Sequence, residues 1–220
     1  MSAVRAIVLA GGSGLRFGGP KQFLLLDGRP LIDHALDAVQ SVAGDVVVVL
    51  PSGVQWELPQ GVRRADGGAM RLDSVRAGLA AIADASDDDV VIVHDAAHPL
   101  ASPALVAAVV DAVRAGADAA VAGVPLVDVT KSVDADGWVA RSLPKDGVVI
   151  VQMPQAFRLG MLRQAHTGAP TGVEDSELVA HVGGRVRVVT GEPANVHVTT
   201  VEELALAEAV VRGRKDMRDE

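Results

Sequence analysis

The 220-residue chain contains no cysteine and no tyrosine, and its only aromatic residues are three phenylalanines and two tryptophans. The absence of cysteine excludes a disulfide scaffold, cysteine-ligated zinc, iron–sulfur clusters and thiol nucleophiles, and favours a reducing, cytoplasmic compartment. Cationic side chains are also fewer than anionic ones: the chain has 20 Lys and Arg and 28 Asp and Glu, which gives a formal net charge of −8. A broad nucleic-acid surface needs clustered cations and stacking aromatics, so we expect no nucleic-acid partner.

Long hydrophobic runs are missing as well. The mostly apolar segment 4–10 is far shorter than the ~20 residues of a membrane-spanning helix, and it runs into glycines. We therefore expect a soluble protein with no membrane partner and no signal peptide. The length, with 49% hydrophobic residues, predicts a single domain over residues 1–220.

Short Val- and Ile-rich runs alternate along the chain with longer Ala- and Leu-rich stretches of helical period. This alternation predicts an α/β fold, with a Rossmann-like, mostly parallel sheet and helices on both faces. The predicted strands are residues 4–10, 45–50, 90–94, 118–124, 148–152 and 185–190. The predicted helices are residues 30–42, 70–83 and 103–114, and a last helix after a capping box at Thr200 and Glu203.

The segment 125–147 breaks this alternation. It holds two short β-like runs around the turn residues 134–137, which predicts a hairpin that projects from the sheet. A projecting hairpin has little hydrophobic core of its own and usually packs against another protein surface. We therefore expect this segment to be a dimerisation arm of a homodimer.

The strongest local pattern is the glycine-rich stretch at the end of the first predicted strand, residues 9–22. A Rossmann G-x-G-x-x-G motif starting at Gly12 would need glycine where Phe17 stands. A Walker A motif is excluded too, because Pro20 separates Gly19 from Lys21. What remains is a glycine-rich turn whose main chain can approach phosphates closely, because glycine has no side chain. The turn follows a strand, and ligands bind at the carboxyl edge of such sheets.

Two cations, Arg16 and Lys21, flank this turn. Such a site suits nucleotidyl transfer, where an acceptor oxygen attacks the α-phosphate and pyrophosphate leaves. Catalysis then rests mainly on positioning and on neutralising the charge of the phosphate oxygens. A surface loop with incidental cations is the alternative.

Three blocks make the chain resemble the 2-C-methyl-D-erythritol 4-phosphate cytidylyltransferases and, more loosely, other nucleotidyltransferases of that fold. The first block is Ala-Gly-Gly-Ser-Gly-Leu-Arg at 10–16 with Pro-Lys-Gln at 20–22. The second is Gly-Gly-Ala-Met-Arg-Leu-Asp-Ser-Val at 67–75, and the third is His-Asp-Ala-Ala at 94–97. With weaker echoes further on, the matches span residues 7–208.

The resemblance implies roles for individual residues. Arg16 and Lys21 would stabilise the transition state at the α-phosphate of CTP, and Asp95 would hold Mg²⁺. The implied nucleotide-binding residues are Ala10, Gly11, Gly12, Gly14, Gly68, Ser74, Asp95 and Ala96. Asp95 also ends a predicted buried strand, where a carboxylate beside a triphosphate suits Mg²⁺, although it could instead cap the helix over 103–114.

The acceptor half departs from the family pattern. An arginine is replaced by His98, an arm arginine by Lys145 and a lysine by His197, while Val129 and Val173 stand where the family has threonine. Replacing arginine by lysine loses a bidentate phosphate contact, and histidine titrates near neutrality. The acceptor-binding candidates are His98, Thr130, Lys145 and His197.

These departures leave the acceptor open. The default is methylerythritol phosphate, and the alternatives are ribitol phosphate, another polyol phosphate or a phosphonate. A protein that binds CTP without turnover and an enzyme that acts on a sugar 1-phosphate with UTP or GTP are further possibilities. The presence of both Arg16 and Lys21 speaks against a silent site.

Overall fold

A seven-stranded sheet organises the protein. The computed structural model describes residues 2–11, 19–168, 172 and 174–219. Its strands in chain order are β1 (Val4–Leu9), β2 (Leu25–Leu26), β3 (Arg29–Pro30), β4 (Asp45–Leu50), β5 (Val62–Asp66), β6 (Val90–Asp95), β7 (Ala119–Pro125), β8 (Lys131–Val133), β9 (Val139–Ser142), β10 (Val149–Arg158) and β11 (Val186–Thr190).

The α-helices alternate with these strands. They are α1 (Leu31–Gln40), α2 (Arg71–Ala81), α3 (Pro103–Arg114), α4 (Leu159–Ala165), α5 (Asp175–His181) and α6 (Val201–Asp219), and a 3₁₀ turn covers Lys21–Phe23. The helices predicted over 30–42, 70–83 and 103–114 are confirmed within two residues at each end. In α3, Pro103 takes the first helical position and the Ser102 hydroxyl accepts the Leu105 N–H at 3.0 Å.

The central sheet has the order β11-β7-β10-β6-β1-β4-β5. Four of its six neighbouring strand pairs are parallel, and β10 runs antiparallel to both β6 and β7. The chain leaves β1 toward β4 and β5, and it then crosses to β6 on the other side of β1. The crevice at the carboxyl ends of β1 and β6 is therefore a topological switch point, where ligands bind in open α/β sheets.

Helices cover both faces of the sheet, which confirms the predicted α/β class. Along β1, Ala6 and Val8 pack with α1 and α3 on one face, whereas Ile7 and Leu9 pack with α2, α4 and α5 on the other. Alternate side chains of a strand point to opposite faces, so a strand buried on both faces is apolar throughout. A Cβ at Gly78 would lie 2.5 Å from Ile7 Cγ2, so the glycine lets α2 pack closely on β1.

Six elements were not predicted from the sequence: the 3₁₀ turn, the two-residue strands β2 and β3, strand β5, and helices α4 and α5. Strand β5 is an edge strand rich in charge, with Arg63 and Arg64 at its centre, so it lacks a hydrophobic run. Helices α4 and α5 have seven residues each, too few for a clear helical period. Strand β10 also runs on to Arg158, beyond the predicted end at 152, past a register shift between Gln152 and Gln155.

The predicted hairpin is present within 125–147. Strands β8 and β9 pair antiparallel, and the Asp134 carboxylate accepts the main-chain N–H groups of Asp136 and Trp138 in the connecting turn. Its apolar side chains are largely exposed, with Trp138 at 75% and Val129 at 70%. Both exposed fractions refer to one chain without a partner subunit.

The predicted capping box starts α6. The Thr200 hydroxyl accepts the Glu203 N–H at 3.3 Å, and the Glu203 carboxylate accepts the Thr200 N–H at 2.9 Å. Ala207 on the helix packs into a small core with Leu26, Leu31 and Val198. Within the described ranges, the helices are too short or too polar to cross a membrane.

Candidate active site

Three loops meet at the carboxyl ends of β1, β5 and β6. The Ala96 N–H donates to the Leu9 carbonyl at 3.0 Å, and the Gly67 N–H donates to the Leu50 carbonyl at 2.7 Å. These bonds fix the loops side by side around one cavity of about 510 Å³. Its lining residues are Leu9, Ala10, Gly11, Lys21, Gln22, Gly68, Ala69, Met70, Arg71, Ser74, Asp95, Ala96 and Ala97.

Every predicted nucleotide-binding residue that the structure describes lines this cavity. These residues are Ala10, Gly11, Gly68, Ser74, Asp95 and Ala96, together with the catalytic candidate Lys21. The chain thus brings together three blocks that lie far apart in sequence. The predictions for Gly12, Gly14 and Arg16 lie outside the described residues.

The loop before α2 forms one wall of the cavity. A Cβ at Gly68 would lie 2.2 Å from Asp73 Cβ, so only glycine lets the main chain pass there. The Asp73 carboxylate in turn accepts the Met70 N–H at 3.2 Å and fixes the start of α2. The Ser74 hydroxyl, 3.5 Å from a Cβ built on Gly11, lies against the glycine turn.

Lys21 places an ammonium group on another wall. It begins the 3₁₀ turn after Pro20, and its Nζ lies 3.3 Å from the Val198 carbonyl oxygen. The Val198 N–H donates to the Ala97 carbonyl at 2.8 Å, which ties the segment before α6 to the loop after β6. Lys21 therefore lines the cavity next to the segment that carries His197.

Asp95 ends β6 at the edge of the cavity. Its Oδ1 accepts the Ala97 N–H at 3.0 Å, so it orders its own turn, and the cap of α3 is Ser102. The alternative that Asp95 caps α3 is therefore wrong. The described part of the chain holds no cluster of three or more metal-ligating side chains. A divalent ion bound to Asp95 would therefore need further oxygen ligands from a bound phosphate group and from water. Mg²⁺ commonly completes its coordination in this way.

Two histidines from the acceptor side lie together. The rings of His98 and His197 stack with centroids 4.3 Å apart and an angle of 12° between their planes. Burial, together with the neighbouring charges of His197, His94, Lys21 and Arg71, lowers the pKa of His98 to about 2. His98 is therefore neutral at physiological pH and does not replace the permanent charge of an arginine.

The other two acceptor candidates lie in the arm. Lys145 is exposed, and its Nζ donates to the Val127 carbonyl at 2.7 Å. The Thr130 carbonyl accepts the Leu143 N–H at 2.9 Å. Neither residue lines the cavity of the chain to which it belongs. Val129 is in the same arm, and Val173 lies outside the described residues.

Six of the lining residues were not predicted as site residues, and two of these six, Gln22 and Arg71, have polar side chains. Gln22 is 2% exposed, and neither atom of its side-chain amide has a hydrogen-bond partner in the described part of the chain. Arg71 pairs through Nη2 with Asp175 Oδ2 at 2.8 Å. Both residues belong to blocks that carry the family resemblance, Pro-Lys-Gln and Gly-Gly-x-x-Arg, so the sequence pattern could have identified them as site residues. Asp175 lies 104 positions from Arg71, and no local pattern connects them.

Fold and site together define an α/β protein of the nucleotidyltransferase class. The family model for 2-C-methyl-D-erythritol 4-phosphate cytidylyltransferase (IspD) matches residues 4–213. The chain belongs to this family, and it is an enzyme of the nucleotidyltransferase class.

Relatives carry the same name over nearly their full length. The enzyme of that name from Rhodococcus jostii is 41% identical over 94% of this chain and 95% of its own. The one from Rubrobacter xylanophilus is 38% identical over 98% and 97%. The crystal structure of the enzyme from Thermus thermophilus superposes with a TM-score of 0.82 at 34% identity, covering 96% of this chain and all of that one.

Proposed function

We propose that this enzyme transfers CMP from CTP to the phosphate of 2-C-methyl-D-erythritol 4-phosphate and releases pyrophosphate, with Mg²⁺ as cofactor. The observation that carries the proposal is one cavity that gathers Gly11, Lys21, Ser74 and Asp95. Its volume of about 510 Å³ lies in the range of about 300–1,000 Å³ typical of small-molecule sites. The relatives' shared name supplies the acceptor.

The proposed reaction is an in-line displacement at the α-phosphorus. An oxygen of the acceptor phosphate forms the new bond to phosphorus, and the bond to the bridging oxygen of pyrophosphate breaks with its electron pair. The ammonium of Lys21, with Arg16, offsets the charge that builds on the phosphate oxygens. Asp95 would hold Mg²⁺, which adds further positive charge at the triphosphate.

No general base is needed in this reaction. A phosphate monoester has its second pKa near ~6, so the attacking oxygen is already largely ionised at neutral pH. The protein therefore has to place two anions close together and does not have to remove a proton. This requirement explains why cations and main-chain N–H groups matter more here than a histidine base.

We assign base selection to the part of the cavity lined by Ala10, Gly11, Gly68 and Ser74. Their main-chain groups and the Ser74 hydroxyl would contact the base. A comparison of the four nucleoside triphosphates by pyrophosphate release tests this assignment. We expect CTP to be used at least tenfold better than UTP, since a lost hydrogen bond in a buried site costs about 1–3 kcal/mol. A preference for UTP or GTP would instead indicate transfer onto a sugar 1-phosphate.

A second candidate has the same chemistry with another acceptor. It is favoured by the stacked pair of His98 and His197, which stand where the family has an arginine and a lysine. Pyrophosphate release should be measured with methylerythritol phosphate, ribitol phosphate and a hydroxyalkylphosphonate in parallel. Turnover with the first alone supports the family reaction, and turnover with another acceptor alone supports an altered pocket.

Two further results would complete this test. The double variant His98→Arg with His197→Lys should raise activity toward methylerythritol phosphate if that is the acceptor the pocket once served. Thermal stabilisation by CTP without pyrophosphate release for any acceptor would indicate a silent nucleotide-binding protein and would contradict the proposal.

We also propose a cytoplasmic homodimer formed through residues 125–147. The exposed apolar side chains of this arm support the proposal, because a lone hairpin of this kind has no core to bury them. The arm carries Lys145 and Thr130 away from their own cavity, so a partner subunit is the natural place for them to act.

A further inference from the structure

Gln22 is buried in the wall of the cavity, and its side-chain amide is unpaired. The residue lines the cavity and is 2% exposed. Neither Nε2 nor Oε1 has a hydrogen-bond partner among the described residues. Buried polar groups in proteins are nearly always hydrogen-bonded, because an unpaired donor or acceptor gives up its bonds to water without replacement. The amide of Gln22 therefore does not stabilise the free protein, and its burial at this position needs another reason.

The other buried glutamines of the described ranges have partners within the chain. Gln152 donates from Nε2 to the carbonyls of Glu192 at 2.9 Å and Asn195 at 3.1 Å, and its Oε1 accepts the Glu192 N–H at 3.0 Å. Gln155 donates from Nε2 to Glu174 Oε2 at 2.8 Å. Neither of these two glutamines lines the cavity. Among the buried glutamines that the structure describes, the one with both amide atoms unpaired is thus the one in the cavity wall.

The chemistry of an unpaired amide indicates the kind of group that it can bind. Nε2 carries two N–H donors, and Oε1 is an acceptor. A phosphate oxygen can accept from Nε2 but leaves Oε1 unpaired, whereas a cationic group can donate to Oε1 but leaves Nε2 unpaired. A hydroxyl group both donates and accepts, and two neighbouring hydroxyl groups can bond both amide atoms at once. Hydroxyl groups are therefore the ligand chemistry that complements Gln22.

The position of Gln22 is next to the proposed reaction centre. Gln22 follows Lys21 in the 3₁₀ turn Lys21–Phe23, so the two Cα atoms are about 3.8 Å apart, and both residues line the cavity. The proposed role of Lys21 is at the α-phosphate, which connects to the ribose of CTP and is attacked by the acceptor. A cytosine edge also offers a donor and an acceptor, but the base is proposed to lie against Gly68 and Ser74, at the loop before α2. The ribose and the polyol chain of the acceptor are the hydroxyl-bearing groups that remain.

We propose that the amide of Gln22 binds hydroxyl groups of a substrate in this cavity, supplied by the ribose of the nucleotide or by the polyol of the acceptor. This inference rests on the proposed function and adds a residue that recognises an uncharged part of a substrate. The unpaired amide lowers the stability of the free protein, and the hydroxyl groups of the bound substrate supply the missing hydrogen bonds. Gln22 should therefore contribute to binding and not to folding.

Thermal unfolding of Gln22→Met and of its control Gln152→Met tests the second half of this statement. Methionine is an unbranched side chain of similar length, so Gln22→Met removes both polar atoms without opening a large space. We expect its melting temperature to equal or exceed the native value, because no hydrogen bond between described residues is lost. Gln152→Met should lower the melting temperature, since it leaves the Glu192 N–H unpaired, and should change the Kd for CTP less than twofold.

Substrate analogues that lack single hydroxyl groups test the binding role and distinguish the two sources. Native protein and Gln22→Met are titrated by calorimetry with CTP, 2′-deoxyCTP and 3′-deoxyCTP in the presence of Mg²⁺. For a ribose contact, Gln22→Met should raise the Kd for CTP about tenfold, with an effect at least threefold smaller for one deoxy analogue. For a polyol contact, the Kd for CTP should stay within twofold, and the acceptor KM should rise about tenfold, with a smaller effect for a deoxy analogue of the acceptor. Either result supports the inference.

Three outcomes would overturn the inference. They are an unchanged Kd for CTP together with an unchanged acceptor KM, an effect of equal size for a substrate and all its deoxy analogues, and a melting temperature lowered as much as in Gln152→Met. If Gln22→Met does not fold, Gln22→Leu removes the same polar atoms and takes its place. Pyrophosphate release by the native enzyme is measured first. Its absence with every acceptor contradicts the proposed function, whereas the titrations with CTP and its analogues require only binding.

Discussion

Lys21 is the described residue whose charge the proposed chemistry needs most. It lines the cavity beside the glycine turn, and its Nζ is held near the Val198 carbonyl. Lys21→Ala should lower kcat by about 10²–10³, since it removes a charge partner of the transition state. The control is Lys215→Ala, which removes an exposed ammonium on α6 that pairs with Asp27 between β2 and β3. A kcat within threefold of native for Lys21→Ala would contradict the role.

Gly68 tests the wall proposed to hold the base. A methyl group there would lie 2.2 Å from Asp73 Cβ, so Gly68→Ala must push the loop from its position. We expect the affinity for CTP to fall about tenfold or more while the protein stays folded. The control is Gly44→Ala, because nothing lies within 4 Å of a Cβ at that position. Calorimetric titration with CTP measures both variants, and equal affinities would exclude a binding role for the Gly68 loop.

At the scale of elements, a partly buried ion pair ties the start of β1 to the loop before β6. The Asp89 carboxylate accepts from the Ala3 N–H at 2.9 Å and from Arg5 Nε at 3.0 Å. Burial alone would raise the pKa of Asp89, but the bonds from Arg5 and Ala3 outweigh it and hold the pKa below its usual value. The stabilisation is therefore present above about pH 4 and is lost as the pH falls through the lowered pKa.

Asp89→Asn should lower the free energy of unfolding at pH 7 by about 1–3 kcal/mol and flatten its decrease below pH 4. Urea titrations between pH 7 and pH 3 measure both effects. The exposed Asp84, changed to asparagine in the same way, should leave the profile close to native. If the free energy of unfolding of Asp89→Asn still falls steeply below pH 4, other carboxylates cause the loss of stability in acid.

Elements differ in how far their sequence determines them. Helix α3 carries its own start in Ser102 and Pro103 and an apolar face of helical period, so its bounds were predicted to the residue. Strand β5 lacks such a pattern, because an edge strand covered on one side can carry arginines. It forms where β4 offers a parallel partner over Val46 to Leu50.

At the scale of the whole molecule, the arm should control assembly. Its exposed Trp138 and Val133 lie on the hairpin, and we expect both to be covered by a second copy of the chain. Trp138→Glu should weaken the dimer at least tenfold, and sedimentation velocity over a concentration series measures this. Val201→Glu, which changes an exposed apolar residue outside the arm, is the control. A native protein that sediments as a monomer at all concentrations would contradict the proposed homodimer.

The sequence by itself determined the alternation of strands and helices and those parts of the three blocks that, among the described residues, line the cavity. It could do so because strand and helix periods, turn glycines and caps are local properties of neighbouring residues. Only the tertiary structure decided which distant residues meet. The contact of Arg71 with Asp175 and the stacking of His98 on His197 join residues 104 and 99 positions apart. Such contacts arise where loops converge at one edge of the sheet, and no local pattern encodes them.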